Sequence, residues 1–368
     1  MTRIALRGVV LPAGSALGLH ASSPEQNWAV PRFAGEVTLT LFYPIAAVIV
    51  GFIAVVWGAD RFVYGAAGLA SNFGVSRLVI GLTIVAFGTS APEMLVSGMA
   101  AAAGSREMGI GNAVGSNITN VTLVLGAAAL VSPLTVHSRL LIREIPVLFL
   151  SMAVGWVFLW DGELSRLEGI ILLVGMFVLI AWIGMQGRKQ QAEHPEAPTG
   201  GFEDDEIPDS LPNAKAIATF SLGLVFLLIG SRVLVWGAVG IASDLGVSEL
   251  TVGLTIVALG TSLPELAASV AAARRGEQDI AVGNVVGSNM FNLLGVLALP
   301  GIIAPGPVDR SVVLRDFPIM VGVTLLLLLM ALNERNHIGR KRGITLIVVF
   351  IVYFVALFLN PSLPGSPS

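Results

Sequence analysis

The chain has 368 residues, of which 55% are hydrophobic and only 12% charged, against about 25% charged in a soluble globular protein. Its net charge of −3 is too small to favour nucleic acid as a partner, and the absence of cysteine excludes disulfides, thiolate metal sites and cysteine nucleophiles. A hydrocarbon core of about 30 Å takes roughly 20 mostly apolar residues per helix, and several segments qualify, so composition predicts an integral membrane protein.

Residues 1–37 carry Arg3, Arg7 and a weakly apolar run broken by Pro12. That is a poor match to a signal peptide, and the segment reads as a leader or disordered tail, with a true start near Val37 as the plain alternative. Five apolar segments follow, at about 38–62, 79–103, 110–131, 140–160 and 167–186, and define a first unit at 38–186. Residues 187–213, rich in Pro, Gly and acid with an EDDE run at 203–206, read as a solvated cytoplasmic linker. Five more segments, at about 214–238, 251–273, 281–303, 312–332 and 343–360, define a second unit at 214–360, and 361–368 is a short tail. Asp60, Arg61 and Arg232 fall near the expected helix ends, where snorkelling is ordinary. The four histidines (His20, His137, His194, His337) all lie outside the apolar segments, and no HExxH is present. Both facts argue against a buried Ser-His hydrolase or a zinc protease.

The two units are copies. Residues 81–97 read GLTIVAFGTSAPEMLVS and residues 253–269 read GLTIVALGTSLPELAAS, identical at 12 of 17 positions. GNAVGSNITN at 111–120 is matched by GNVVGSNMFN at 283–292, at the same offset of 172 residues. Five helices is an odd number, so a second copy joined by one linker enters the membrane from the opposite side. The expected fold is therefore an all-α polytopic membrane protein of ten transmembrane helices in two inverted five-helix repeats, an architecture shared by many secondary transporters. Cytoplasmic loops should be rich in Lys and Arg. With both termini outside, the inside loops hold Arg61, Arg77, Arg139, Arg143, Arg188, Lys189, Lys215, Arg274, Arg275, Arg335, Arg340, Lys341 and Arg342, against Arg106, Arg166, Arg310 and Arg315 outside. This bias predicts termini outside and the linker inside, in the plasma (inner) membrane.

The copied segments carry the chemistry. A glutamate inside an apolar helix is expensive and marks a functional site by default; here there are two, Glu93 and Glu265. Each follows a proline, Pro92 or Pro264, which has no N–H and so frees a carbonyl one turn back. Thr89 and Ser90 share the face of Glu93, as Thr261 and Ser262 share that of Glu265. Ser116 and Asn120, and their copies Ser288 and Asn292, add oxygens from the next helix in each half. The GxxxG pairs at 111/115 and 283/287 let helices approach closely. Oxygen-only ligands suit Ca²⁺, Na⁺, Mg²⁺ or Mn²⁺ rather than Zn²⁺ or Cu²⁺. Two neighbouring carboxylates also repel when empty, which makes a proton a further competitor.

On these residues the chain resembles the sodium/calcium exchanger family of the cation/calcium antiporter superfamily. GLTIVAFGTSAPE with GNAVGSNITN is similar to that family's first signature repeat, and GLTIVALGTSLPE with GNVVGSNMFN to its second; the resemblance covers about residues 38–360. It implies the ten-helix inverted-repeat fold and a cation site on helices 2, 3, 7 and 8. Glu93 and Glu265 would be the shared carboxylate ligands, Thr89 and Thr261 would offer backbone carbonyls, and Ser90 and Ser262 hydroxyls. Ser116 and Ser288 would ligate beside Asn120 and Asn292. Some members have aspartate at the position of Asn292; here both copies have asparagine, giving two acids rather than three. The expectation is an antiporter and not an enzyme, with Ca²⁺ and Na⁺ as transported substrates and no cofactor. A Ca²⁺/H⁺ antiporter using the same carboxylates is the nearest alternative. A cation channel and an intramembrane hydrolase are the rivals from other classes.

Overall fold

The computed structural model describes residues 41–137, 140–193, 211–244, 258–333 and 337–359. The leader at 1–37, the acidic run at 203–206, the start of the expected seventh helix at 251–257 and the tail at 361–368 lie outside the described residues. The helices in chain order are α1 (Phe42–Phe73), α2 (Arg77–Ala102), α3 (Arg106–Val131), α4 (Leu140–Leu159), α5 (Arg166–Glu193) and α6 (Asn213–Asp244). Then come α7 (258–274, in two pieces, Ala258–Thr261 and Leu263–Arg274), α8 (Gln278–Ile303), α9 (312–333) and α10 (Arg340–Leu359). Eight of them, α1 to α6, α8 and α9, contain spans long and apolar enough to cross a membrane. Of the apolar spans, α8 is 83% and α3 67% buried, against 28% for α1, α5 and α6. So α8 and α3 form the centre and the other three the periphery.

The first helix of each half is longer than its composition suggests. Expected to end at 62 and 238, α1 and α6 run on to Phe73 and Asp244. At 1.5 Å per residue, the 32 residues of α1 span roughly 48 Å, well past a core of about 30 Å. Asp60 and Arg61 therefore stand within a helix, not near its end, and Arg61 does not belong to the loop count. Their charges are met locally. Arg275 grips Asp60 through two bonds of 2.7 Å, and the Arg61 guanidinium lies 5.5 Å from the centre of the Trp57 ring.

Glycine at heptad spacing joins α1 to α6. A Cβ at Gly51 would lie 2.5 Å from the Leu234 nitrogen, at Gly58 2.6 Å from that of Leu227, and at Gly65 against that of Phe220. From the other side, Gly223, Gly230 and Gly237 meet the backbones of Phe62, Val55 and Pro44. As one residue number rises the other falls, so the helices run antiparallel with backbone on backbone. Each glycine pair (51/223, 58/230, 65/237) keeps the 172-residue offset.

The connecting turns gather in two groups. At one end, β1 (Leu134–Thr135) pairs antiparallel with β4 (His337–Ile338). The same end holds the Arg77–Glu277 pair at 3.1 Å, His137–Asp279 at 2.9 Å and the Thr135 N–H donating to Gln278 at 2.9 Å. In the other group, β2 (Glu163–Leu164) pairs with β3 (Gly306–Pro307), Arg106 donates to the Pro305 carbonyl and Arg166 to that of Ile302. The groups lie at opposite ends of α3, because Arg106 begins that helix and Leu134 follows it. Gly104 (φ 86°) and Gly276 (φ 74°), again 172 apart, turn the chain out of α2 and α7 through a left-handed conformation that costs glycine little.

Several helices contain a π turn, which fits one extra residue into the spiral and often marks a functional place. Those at Asn120–Val124 and Asn292–Val296 correspond under the offset, as do those at Leu140–Glu144 and Val312–Asp316.

Candidate cation site

The site elements are α2, α3, α7 and α8. Ser76 caps α2 by accepting from the Val79 N–H, and the helix passes through a π turn at Gly81–Val85 before Thr89, Ser90 and Glu93. Pro92 sits within α2, which stays continuous around it. In α7 the helix is interrupted at Ser262 (φ −88°, ψ 5°), two residues ahead of Pro264. The proline-loosened turn expected in both copies is thus an actual break in the second. On α3 and α8, Asn120 and Asn292 are each the first residue of a π turn. The glycines of the second GxxxG work as close-approach points: a Cβ at Gly283 would lie 2.9 Å from the Leu78 carbonyl oxygen, and at Gly287 2.5 Å from that of Leu82. Gly111 and Gly115 meet no described atom within 4 Å, and the residues corresponding to Leu78 and Leu82, 250 and 254, lie outside the described residues.

Nine of the ten residues singled out from the sequence are buried, and Thr261 is half-buried. Bonds across the repeats bring some of them together. The Ser90 hydroxyl donates to Glu265 Oε1 at 3.1 Å, and Thr89 Oγ1 lies 3.5 Å from Ser288 Oγ. Ser116, Asn120 and Asn292 share the enclosure without a direct side-chain bond to another of the ten among the described residues. Both carboxylate oxygens of Glu93, Oε2 of Glu265, the Ser262 hydroxyl and the whole carboxamides of Asn120 and Asn292 are buried with no hydrogen-bond partner. Among the described residues, neither glutamate has an Arg, Lys or His within salt-bridge distance. Buried carboxylates without a basic partner are strongly destabilising, and a cation is the species that would balance them. No group of three His, Cys, Asp or Glu converges among the described residues.

The sequence reading missed Asn112 and Asn284. Asn284 accepts the Thr89 hydroxyl at 3.1 Å and donates to the Glu265 backbone carbonyl at 3.4 Å and to Ser269 Oγ at 2.9 Å. Asn112 repeats the pattern: it accepts from Thr261 at 3.4 Å and donates to the Glu93 carbonyl at 3.3 Å and to Ser97 at 3.0 Å. A signal was available. Residues 112, 116 and 120 are successive i, i+4 positions, so one face of α3 carries all three.

Away from the site, Glu277 opens the turn into α8. Burial pushes its carboxyl up to about 7 in spite of the Arg77 guanidinium beside it.

The model of the family described as sodium/calcium exchanger protein matches residues 43–185 and 215–359. The chain is 46% identical over 313 residues to the putative antiporter CaxA of Alkalimonas amylolytica, covering 84% of this chain and 97% of that protein. It is 33% identical to the sodium/calcium exchanger MaX1 of Methanosarcina acetivorans, covering 84% of this chain and 97% of that one. Among solved structures, the sodium-calcium exchanger NCX_Mj superposes with a TM-score of 0.74 at 32% identity, over 86% of this chain and 99% of that chain. The match spans both halves and both signature repeats, and the chain belongs to the sodium/calcium exchanger family of membrane antiporters.

Proposed function

We propose that the chain exchanges Na⁺ for Ca²⁺ by alternating access at a midplane site shared by α2, α3, α7 and α8. The observation that carries this reading is the pair of buried glutamates, Glu93 and Glu265, which have no basic partner among the described residues and are surrounded by hydroxyl and amide groups with unused oxygens. The ligands would be those two carboxylates with oxygens of Thr89, Ser90, Ser116, Asn120, Thr261, Ser262, Ser288 and Asn292. Calcium takes six to eight oxygens in flexible geometry, and two carboxylates balance its charge. Two Na⁺ would balance the same charge, so the cargoes exclude one another. A third Na⁺ would leave the loaded site positive and make transport electrogenic. The similarity to MaX1 and NCX_Mj, both named as sodium/calcium exchangers, supports this choice of ions.

The architecture behind this function is ten crossings in two inverted repeats, with termini outside and the linker inside. The two groups of turns support it. The α1–α2 turn meets the α7–α8 turn, and the α4–α5 turn meets the α8–α9 turn. Both contacts need an even number of crossings between them, which requires α7 to cross. Packing of Gly126 on α3 against Ile347 and Gly343 supports a crossing by α10. Since α1 and α6 carry none of the ligands and are fused backbone to backbone, they form the pair that moves against the rest.

The test is Na⁺-gradient-driven ⁴⁵Ca²⁺ uptake by the purified full chain in liposomes. Glu93→Gln and Glu265→Gln should each abolish it. Uptake that persists in both variants refutes the site. Uptake that follows a proton gradient and ignores sodium replaces Na⁺ with H⁺ as the counter-ion.

A further inference from the structure

Two asparagines outside the ligand set bridge the repeats in a crossed pattern. Each carboxamide uses its Nδ2 on the backbone carbonyl of the glutamate in its own half (Asn112 on Glu93 at 3.3 Å, Asn284 on Glu265 at 3.4 Å). Each uses its Oδ1 on a threonine hydroxyl of the other half (Asn112 with Thr261, Asn284 with Thr89). The orientation of the amides is forced by chemistry. A backbone carbonyl can only accept, so the NH₂ group must face it and the oxygen must face the threonine. Ser97 extends the chain by accepting from Asn112 and donating to the Gly109 carbonyl at 3.2 Å. Asn284 is fully buried.

The geometry points to Asn112 and Asn284 as positioning residues for cation binding, each accepting the hydrogen bond of the threonine hydroxyl contributed by the opposite repeat. A hydroxyl has one proton and two lone pairs. The Thr89 hydroxyl lies beside the Glu265 carboxylate and within hydrogen-bond range of Asn284 Oδ1 at 3.1 Å, the Ala86 carbonyl at 3.3 Å and Ser288 at 3.5 Å. Of these three bonds the shortest is to the amide. With its proton committed there, Thr89 presents only acceptors to the cluster, namely its hydroxyl lone pairs and its backbone carbonyl, which is what a cation requires. The bond also fixes the threonine rotamer and so the turn that aims the carbonyl. Because the bonds cross, each half's threonine is set by the other half's asparagine, and the site is complete only when α2 meets α8 and α7 meets α3.

This inference rests on the exchange reading, and a binding measurement separates the two. Equilibrium ⁴⁵Ca²⁺ binding to the detergent-purified full chain is compared for wild type, Thr89→Val, Asn284→Leu and the double variant. If Asn284 acts through Thr89, each single change weakens binding about tenfold and the double variant falls well short of the hundredfold product, because coupled residues are non-additive. Thr89→Ser, which keeps a hydroxyl able to donate to Asn284, should bind more tightly than Thr89→Val. A double variant at the full product, or Asn284→Leu with wild-type affinity, overturns the assignment. If Asn284→Leu does not fold, Asn284→Ser, too short to reach Thr89, takes its place, and the Asn112/Thr261 cycle gives an independent reading. A wild-type chain that binds neither Ca²⁺ nor competing Na⁺ overturns the exchange reading and this one together.

Discussion

Replacing Gly287 by alanine tests the closeness of α8 to α2. The added methyl would lie 2.5 Å from the Leu82 carbonyl oxygen and 2.7 Å from Ala86 Cβ, about 0.9 Å inside the 3.4 Å at which ordinary contact begins. A backbone oxygen in a packed helix cannot swing aside, so the helices must separate by roughly that amount, at a cost of about 1–3 kcal/mol for overpacking. The same displacement would stretch the Thr89–Asn284 bond, which joins these two helices at 3.1 Å, to about 4 Å, beyond hydrogen-bond reach. Half-saturating Ca²⁺ in the liposome flux assay should therefore rise about tenfold or more, equivalent to about 1.4 kcal/mol, while the chain still folds by size-exclusion chromatography. Gly322→Ala, at an exposed glycine with no described atom within 4 Å of the added methyl, serves as the control and should change neither quantity. A Gly287→Ala variant that folds with lowered thermal stability yet keeps wild-type half-saturation would refute the argument that this approach sets the site.

Three other outcomes follow from features away from the ligands. Gly58→Ala, whose methyl would lie 2.6 Å from the Leu227 nitrogen, should cost about 1–3 kcal/mol of stability. It should disturb Ca²⁺ binding less than Gly287→Ala, since no proposed ligand stands on α1 or α6; equal losses of affinity would contradict that division. Glu277 binds its proton more tightly in the folded chain, at about 7 against 4.5. Its contribution is present in full below pH 4.5 and is lost as pH rises through 7, up to about 3 kcal/mol. The unfolding temperature of wild type should carry this fall between pH 5 and 8, and Glu277→Gln should remove it; an unchanged slope in the variant would count against the burial account. Asp60→Asn should cost at most about 1 kcal/mol, because the Asp60 and Arg275 side chains are 45% and 23% exposed, and Asp60→Arg with Arg275→Asp should restore it.

The proposed ligand set was legible because its residues come in fixed spacings that carry chemistry at any depth: Pro-Glu preceded by Thr-Ser, and Ser and Asn one turn apart. The helix ends were less legible. Asp60 and Arg61 look like an interface signal until Arg275 and Trp57 are seen to absorb their charge. Gly51, Gly58 and Gly65 mean little alone, since heptad glycine becomes a packing rule only when the facing helix shows the same rule in reverse. Asn112 and Asn284 were overlooked for a related reason: their partners stand in the other repeat, some 150 to 195 residues away. The π turns have no sequence signature that a period of 3.6 would reveal.

Those π turns have a bearing on ancestry. A π turn holds one residue more than the α-helix around it, and here it stands at the same place in both halves, at Asn120 and Asn292 and again at Leu140 and Val312. The extra residue was therefore already present when the gene for one half was copied. One half alone carries one glutamate and one Ser-Asn face, half of the proposed cluster. On the proposed inverted topology, completing it takes two such halves inserted in opposite orientations, as in an antiparallel dimer of a single gene product.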